Sequence, residues 1–269
     1  MITDSIAVVI STYNNPDYLN LVLQGYEEQT DKNIHIYIAD DGSSETTRGL
    51  VQKFQQHSAI TCTHIWHEDA GFRKARIHNL VFQQLKENYV ILTDGDCIPM
   101  PEMVAVHRQF AEKGVLISGS RILCSQAWTQ QLLQGEKLPS IHPWMSLSLR
   151  WHQKINRCLP LWIPPHTSSM SQKLSGIHGC HIALYREDLL RVNGYDESFE
   201  GWGREDSDLI ARLFHVGVMR KNLRGTPVLH LWHEENSRHH LEENDVILQQ
   251  CLREKRQRAI QGVNELADD

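Results

Sequence analysis

The chain has 269 residues, six cysteines and a formal net charge of −6 at pH 7. This negative balance argues against a nucleic-acid-binding protein, which usually needs a basic face. No run of about 18 apolar residues predicts a membrane-spanning helix, and the amino terminus lacks the basic and apolar regions of a signal peptide, so we expect a cytosolic protein. The cysteines show no Cys-x-x-Cys spacing, which argues against a zinc ribbon or a disulfide framework.

Strand and helix patterns alternate through the first half of the chain. Apolar runs predict strands over residues 6–10, 34–39, 60–66 and 90–93. Helical spacing follows each of the first three, and Pro16 with Asn14 or Asn15 as the cap fits the start of the first helix. This alternation predicts an α/β fold with a mostly parallel sheet, whose loops gather along one edge.

The fourth predicted strand runs directly into Asp94-Gly95-Asp96. Carboxylates at the carboxyl end of such a strand lie where open α/β folds bind their ligands. They are hard oxygen ligands suited to Mg²⁺ or Mn²⁺ shared with substrate phosphates. The alternative is a simple turn, because Asp-Gly is a common turn dipeptide.

Polar groups also follow the earlier strands, and together they match the needs of a nucleoside diphosphate. Asp40 and Asp41 offer hydrogen bonds to a base and ribose, as do Thr12, Tyr13 and Asn14. Arg73 and Arg76 supply positive charge at a helix start, where the helix dipole disfavours cations unless an anion is bound. The alternatives are a turn with a helix cap for residues 40–43, and a solvated helix face for residues 73–76.

These motifs, in this order, resemble the nucleotide-binding half of the GT-A glycosyltransferases, particularly the large inverting family two. The segments concerned are Ser11-Thr12-Tyr13-Asn14, Asp40-Asp41-Gly42-Ser43, Gly71-x-x-x-Ala75-Arg76-x-x-Asn79 and Asp94-x-Asp96. The resemblance implies a GT-A sheet flanked by helices, a nucleotide-sugar donor that is most often UDP-linked, and a Mn²⁺ or Mg²⁺ cofactor. It assigns the nucleoside to Thr12 and to Asp40 or Asp41, the base or diphosphate to Arg76, the metal to Asp96, and the ribose or metal to Asp94.

The middle of the chain departs from this regular pattern. A helix is predicted within residues 99–111 and a strand over 115–122, but residues 127–175 are rich in Trp, Pro, Ser, Gln and His and show poor periodicity. Such an insertion is typically a functional lid or a disordered segment. Trp151, Lys154, Arg157 and Trp162 suggest a peripheral contact of residues 150–165 with an anionic membrane surface or a lipid-linked acceptor. An ordinary mobile surface loop is the alternative.

A second group of motifs begins at the glycine-rich stretch of residues 176–185. A turn from Gly194 to Phe199 follows, and then Trp202-Gly203-Arg204-Glu205-Asp206 opens an apolar helical face. Acidic residues are ordinary at a helix start. The segment also resembles the acceptor-side half of the same transferases, with the Trp-Gly-Gly-Glu-Asp motif of galactosyltransferase and chondroitin polymerase-type enzymes, except that Arg204 replaces the second glycine.

The resemblance implies roles for this acceptor side. Asp206 would be the base that takes the acceptor proton, and Glu205 would bind acceptor hydroxyls. Trp202 would stack on an acceptor sugar, with Gly203 and His178 beside it. In metal-dependent members of the fold a histidine after the last sheet strand completes the coordination sphere, for which His233 is our first choice and His230 the second. In a chain with 16 histidines, a merely structural role is the alternative for each.

We therefore predict a single GT-A domain over residues 1–236, with a donor half (5–122), an irregular insertion (123–175) and an acceptor half (176–236). Residues 237–269 are predicted to form a helical tail. The predicted function is inverting, metal-dependent transfer of a sugar to a hydroxyl of a glycan or glycolipid, as in polysaccharide biosynthesis. One alternative is a nucleotidyltransferase acting on a sugar phosphate, although residues 11–16 lack its glycine- and basic-rich phosphate loop. Another is a zinc-binding module built from His178, Cys180, His181 and the histidines of residues 230–240.

Overall fold

The computed structural model describes residues 2–139, 141–159, 164–234 and 238–268. Its strands are β1 (Ile6–Thr12), β2 (Ile34–Asp40), β3 (Thr61–Trp66), β4 (Tyr89–Asp94), β5 (Cys97–Pro99), β6 (Val115–Ser118), β7 (Arg121–Leu123), β8 (His166–Thr167), β9 (His181–Tyr185), β10 (Met219–Arg224) and β11 (Val228–His230). Its helices are α1 (Pro16–Glu27), α2 (Glu45–His57), α3 (Lys74–Gln84), α4 (Met103–Phe110), α5 (Gln126–Leu133), α6 (Pro143–Trp151), α7 (Arg186–Arg191), α8 (Glu205–His215) and α9 (Leu241–Glu254). A short 3₁₀ turn over Glu265–Asp268 follows the last helix.

The main sheet has the strand order β3-β2-β1-β4-β9-β6-β10-β8. The first four strands are mutually parallel, and β9 runs antiparallel between β4 and β6. Strand β1 is buried on both faces: Val8 and Ile10 contribute to one hydrophobic core and Ala7 and Val9 to the other. Because side chains alternate across a strand, one apolar run supplies both cores. The predicted mostly parallel α/β sheet flanked by helices is confirmed.

A smaller sheet, with the order β5-β11-β7, lies beside the loop that follows β4. Strand β11 pairs antiparallel with β5 and parallel with β7, and this register sets His230 opposite Cys97. The N–H of Leu231 donates to the carbonyl of Asp96 at 2.9 Å. The small sheet therefore brings the last strand of the chain against the Asp94–Asp96 loop.

The prediction of one strand over residues 115–122 is wrong, because the chain changes sheets within it. Strand β6 belongs to the main sheet and β7 to the small one. Between them Gly119 donates its N–H to the carbonyl of His181 at 2.8 Å. A Cβ at Gly119 would lie 2.0 Å from the His181 ring, so only glycine allows the chain to leave the sheet at this point.

The insertion is more regular than we predicted from its poor periodicity. Helix α5 begins after Ser125, whose hydroxyl accepts from the N–H of Trp128, and α6 begins after His142, whose ring accepts from the N–H of Met145. Trp128 is buried, whereas Trp151 is exposed. The predicted membrane contact stays a prediction, since Trp162 lies outside the described residues. Within the described ranges, no helix is long and apolar enough to cross a membrane.

Helix α9 packs against α8, and the chain beyond it returns to the loop that follows α7. The side-chain amide of Asn244 on α9 donates to the carbonyls of Glu200 and Gly203, each at 2.9 Å. Further along, the N–H of Val263 donates to the carbonyl of Asn193. The C-terminal segment thus supports the turns that precede α8.

Helix α8 is anchored by a buried ion pair. The guanidinium of Arg212 donates to Asp208 at 2.7 Å, and both side chains are fully buried. The same guanidinium also donates to the carbonyls of Val192 and Gly194. Arg212 therefore ties α8 to the loop that follows α7.

Replacement Asp208→Ala should lower the free energy of unfolding by about 3–5 kcal/mol, because it leaves the buried Arg212 charge unpaired. Urea denaturation followed by circular dichroism measures this loss. The control Glu45→Ala removes the exposed Arg48–Glu45 pair and should cost no more than about 1 kcal/mol. A loss of similar size in the two variants would contradict the anchoring role of the buried Asp208–Arg212 pair.

Candidate active site

Two adjoining cavities open at the carboxyl edge of the main sheet, with volumes of about 700 and 440 Å³. We call them the first and second cavity. The first follows the ends of β1 and β4 and reaches the small sheet, while the second lies over the start of α8. Their shared wall is formed by Lys74, Asp94, Arg121, Trp202 and Arg238. A ligand in one cavity would therefore lie beside a ligand in the other.

Thr12, Tyr13 and Asp41 line the first cavity, as predicted for nucleoside contacts. The hydroxyl of Tyr13 donates to Asp69 at 2.9 Å. One Asp41 oxygen accepts from the N–H of Arg73 at 2.9 Å, and the other bonds to the His67 ring at 2.6 Å. Asp41 is thus held in place at the end of the cavity wall.

Asp40 and Asn14 instead build the loops behind that wall. Asp40 is fully buried; its two oxygens accept from the N–H of Ser43 and bond to the His64 ring, each at 2.8 Å. The side chain of Asn14 accepts from the N–H of Ser44 at 2.9 Å. Neither residue lines a cavity, so the predicted nucleoside contacts of Asp40 and Asn14 are not supported by this geometry.

The basic cluster contributes a different residue from the two that we predicted. Arg73 donates to the carbonyl of Glu68, and Arg76 pairs with Glu197 at 3.3 Å. Neither lines a cavity, whereas Lys74 lines both. Arg76 is thus tied to the turn of residues 194–199 through Glu197.

Lys74 was missed, although the sequence contains a signal for it. It lies three and four residues before Ile77 and His78, which are buried, so helical spacing places it on the inward face of α3. Arg73 and Arg76 each have only one buried residue at these spacings, Ile77 and Asn79 respectively. Charge alone does not distinguish the three residues, but this spacing favours Lys74.

The ammonium of Lys74 lies between two carboxylates. It is 3.1 Å from Asp94 and 3.9 Å from Asp206. Burial alone would lower the pKa of Lys74, but the negative charges of Asp206 and Asp94 raise it well above its usual value. Burial would likewise raise the pKa of Asp94, yet Lys74 and the Ser11 hydroxyl, which donates at 2.8 Å, lower it. Lys74 and Asp94 therefore form an ion pair on the shared wall.

Asp96, His230 and His233 form a candidate metal site. Their ligand atoms all lie within 4.8 Å of one another. The His233 ring lies 3.2 Å and the His230 ring 3.8 Å from the same oxygen of Asp96. The hydrogen bond that His233 donates to Asp96 raises the pKa of His233 to about 9, against the effect of burial. One carboxylate and two imidazoles form a donor set that fits a divalent ion such as Mn²⁺.

Two other predictions of metal ligands concern Asp94 and the alternative zinc module, and the structure places these residues elsewhere. Asp94 lies outside the Asp96 group and is close instead to Cys97 and Cys180. In the described part of the chain, His178, Cys180 and His181 share no ligand cluster, because the His181 ring is buried against His107 at 2.9 Å. The geometry therefore gives no support to the alternative zinc module.

Glu205 and Asp206 begin α8 as predicted, but their surroundings differ. The hydroxyl of Tyr195 donates to Asp206 at 2.8 Å, and Asp206 lines the second cavity close to Lys74. Glu205 accepts from the N–H of Gly203 at 3.0 Å. Burial and the adjacent Asp206 charge raise the pKa of Glu205 to about 7, although Lys74 opposes them. Asp206 is thus the more accessible carboxylate.

Arg204 adopts a left-handed backbone with φ of 78°. This conformation favours glycine, which explains why the motif that this segment resembles has glycine at the position. The guanidinium of Arg204 pairs with Asp245 on α9. That contact holds the strained residue in place without displacing the two carboxylates.

Gly179 permits the close approach of Asp206. A Cβ at this position would lie 1.7 Å from an oxygen of Asp206, so the carboxylate rests directly on the glycine backbone. His178 and Trp202 line the same cavity, and the guanidinium of Arg238 lies 5.8 Å from the Trp202 ring centre. Gly179 and Tyr195 were both missed as site residues, because their importance comes from packing between distant segments.

Known proteins share both the sequence pattern and the fold. Residues 7–190 match the family described as Glycosyl transferase family 2. The chain belongs to glycosyl transferase family 2. Residues 166–234 also match a family described as the N-terminal domain of galactosyltransferase. The two matches cover the predicted donor and acceptor motifs respectively.

This family 2 chain is 25% identical over 242 residues to the chondroitin synthase of Escherichia coli, covering 86% of this chain and 35% of that protein. It thus spans about a third of that relative's length. The fold matches S. aureus TarS 1–349 in complex with UDP, with a TM-score of 0.60, 13% identity and coverage of 91% and 64% of the two chains. It also matches the mannosyltransferase PcManGT from Pyrobaculum calidifontis in complex with GDP-Man and Mn²⁺, with a TM-score of 0.56, 18% identity and coverage of 90% and 60%. The predicted GT-A fold is confirmed.

Replacement of Asp96 or His233 by alanine should weaken Mn²⁺ binding by at least about tenfold, because even residues that only support metal ligands contribute about that much. Calorimetric titration with Mn²⁺ in the presence of UDP measures the change. The control His152→Ala alters an exposed histidine far from the cluster in sequence and should leave the affinity unchanged. Equal affinity in all variants would contradict the metal assignment.

Proposed function

We propose that the chain is an inverting glycosyltransferase that moves a sugar from a UDP-sugar to a hydroxyl of a glycan or glycolipid. The observation that carries this proposal is the shared wall between the two cavities. Lys74 and Asp94 on that wall separate a nucleotide-sized cavity with a candidate metal site from a cavity that contains a partly exposed carboxylate, Asp206. Membership of glycosyl transferase family 2 agrees with this function.

In this proposal the first cavity binds the donor. Thr12, Tyr13 and Asp41 contact the nucleoside, and Asp94 with Lys74 lies beside the donor sugar and diphosphate. Asp96, His230 and His233 would hold Mn²⁺ or Mg²⁺, which would supply positive charge to neutralise the negative charge on the leaving nucleoside diphosphate. The TarS complex with UDP and the PcManGT complex with GDP-Man and Mn²⁺ support such a donor and ion.

The second cavity binds the acceptor, with its hydroxyl beside Asp206. The hydroxyl oxygen attacks the anomeric carbon from the face opposite the nucleotide, so a new C–O bond forms as the bond to the diphosphate breaks. Asp206 takes the hydroxyl proton. Tyr195 and Lys74 orient its carboxylate through the contacts described above, and inversion follows from attack on that face.

Glu205 has a supporting role in this arrangement. One of its oxygens accepts from the Gly203 N–H, which fixes the turn that carries Trp202. We assign Trp202 to stacking on an acceptor sugar, and Glu205 to holding this turn and the acceptor hydroxyls. His178 and Gly203 complete the acceptor wall.

A donor panel tests the function. UDP-, GDP- and dTDP-linked hexoses and N-acetylhexosamines are compared for thermal stabilisation and slow hydrolysis, with and without Mn²⁺. We expect at least one UDP-sugar to raise the melting temperature, and Mn²⁺ to increase the shift, because a ligand that binds only the folded state stabilises it. No response to any nucleotide-sugar would contradict the proposal.

Replacement Asp206→Asn should leave UDP affinity within about twofold of wild type, yet reduce transfer about a hundredfold or more, because it removes the general base. Initial rates with the donor from the panel, together with calorimetric titration of UDP, measure both quantities. The control Asp4→Asn alters an exposed carboxylate outside both cavities and should keep full transfer. Full transfer by Asp206→Asn would mean that the base lies elsewhere.

Replacement Gly179→Ala should also reduce transfer about a hundredfold while donor binding remains, because the new methyl group displaces Asp206 and a shift of about 1 Å can cost that much. The matched control is Gly49→Ala on α2, where an added Cβ meets nothing within 4 Å. Steady-state rates and UDP titration are compared for both variants. Unimpaired transfer by Gly179→Ala would exclude the proposed position of Asp206.

A further inference from the structure

Positive charge is concentrated in one stretch of this acidic chain. From Lys113 to Arg186 the sequence contains eight Lys or Arg residues and a single carboxylate, Glu136, whereas the whole chain has 33 Asp and Glu. Glu136 is already paired with Lys154 at 2.8 Å. The stretch therefore offers no other carboxylate of its own to its remaining cations.

Two arginines of this stretch contact each other, and one of them lines both cavities. Arg121 begins β7 and lines both cavities, and the guanidinium of Arg157 donates to the carbonyl of Arg121. Among the residues that the structure describes, neither arginine forms a salt bridge with an Asp or Glu. Like charges held together without a counterion repel one another, so a bound anion would relieve that repulsion.

The positive charges of Arg121 and Arg157 also act on a residue of the second cavity. His178 lines the second cavity only, and burial together with the charges of Arg121 and Arg157 lowers its pKa. Partial burial and the charge of Arg121 likewise lower the pKa of Arg157. The donor diphosphate, by contrast, already has Lys74 and the candidate metal site on its own side.

We propose that the acceptor carries an anionic group, a carboxylate or a phosphate, and that Arg121 and Arg157 bind it beside the second cavity. The planar guanidinium matches both groups through paired hydrogen bonds. This inference rests on the proposed function, since it names the chemical class of its acceptor. It makes Arg121 a specificity residue, positioned by the small sheet next to the attacking hydroxyl.

The test compares three small saccharides that differ in charge: methyl β-glucoside, methyl β-glucuronide and methyl β-glucoside 6-phosphate. Binding to the full chain is measured by calorimetry without metal, both alone and with saturating UDP. At least one charged probe should bind about tenfold or more tightly than the neutral one, as expected for hydrogen bonds to a charged group. The probe that gains identifies the group as carboxylate or phosphate, and UDP should not displace it.

Variants test whether Arg121 and Arg157 cause the preference for a charged saccharide. Arg121→Gln and Arg157→Gln should each remove most of the tenfold preference, and Arg121→Lys should restore part of it. The matched control Arg150→Gln removes one positive charge from the same stretch outside both cavities, and should keep the full preference. The affinity for UDP should stay within about twofold of wild type in Arg157→Gln and Arg150→Gln, and should fall less than tenfold in Arg121→Gln, which alters a wall residue of both cavities.

Several outcomes would overturn the proposal. One is equal affinity for the three probes, including no measurable binding by any of them. Another is displacement of the charged probe by UDP, or a tenfold loss of UDP affinity in Arg121→Gln, either of which would assign the arginines to the donor diphosphate. A third is no preference among the probes but loss of binding to phosphatidylserine vesicles in Arg157→Gln, which would assign the stretch to a membrane surface. The donor panel is a separate experiment. If no nucleotide-sugar bound in it, the transferase function would be contradicted, but the binding of an anion by Arg121 and Arg157 would still be decided by the saccharide probes.

Discussion

The ammonium of Lys74 between Asp94 and Asp206 is the contact on which the site depends. Asp94 ends β4, Asp206 begins α8, and more than a hundred residues separate them in the sequence. Together with the buried Glu205 they would place several negative charges around one wall. Lys74 offsets this repulsion, as an opposite charge at short range does in a partly buried site. It also lies on the wall that the first and second cavity share.

Two sheets bring the remaining groups to that wall. The antiparallel strand β9, inserted between β4 and β6, carries Gly179 and His178 just before its first residue, on the side where β4 ends. The small sheet brings β11 against the Asp94–Asp96 loop and so places His230 and His233 beside Asp96. Its third strand, β7, begins at Arg121 on the wall of both cavities. One sheet edge thus supports the candidate base and another the candidate metal site.

Elements of the fold that depend on a local sequence pattern were predicted correctly. Apolar runs identified β1 to β4, because strands covered on both faces are apolar throughout. The Glu205-Asp206 pair was assigned to the first turn of a helix and lies there. The differences arose where contacts between distant segments decide. Charge favoured Arg73 and Arg76; in the structure the carbonyl of Glu68 accepts from Arg73, the carboxylate of Glu197 pairs with Arg76, and Lys74 lines the cavities. A continuous apolar pattern predicted one strand over residues 115–122, although His181 requires a glycine-based break within it.

The sequence alone determined the α/β class, the order of the elements and the motifs at their ends, because each of these depends on residues close together in the chain. Asp94-Gly95-Asp96 and the Glu-Asp pair were recognisable for that reason. Only the tertiary structure decided that Asp41 rather than Asp40 faces a cavity, that Gly179 lies under Asp206, and that Arg121 and Arg157 lie together without a salt bridge among the described residues. These relations depend on which side chains are buried and which charges meet across strands, and no local spacing encodes them.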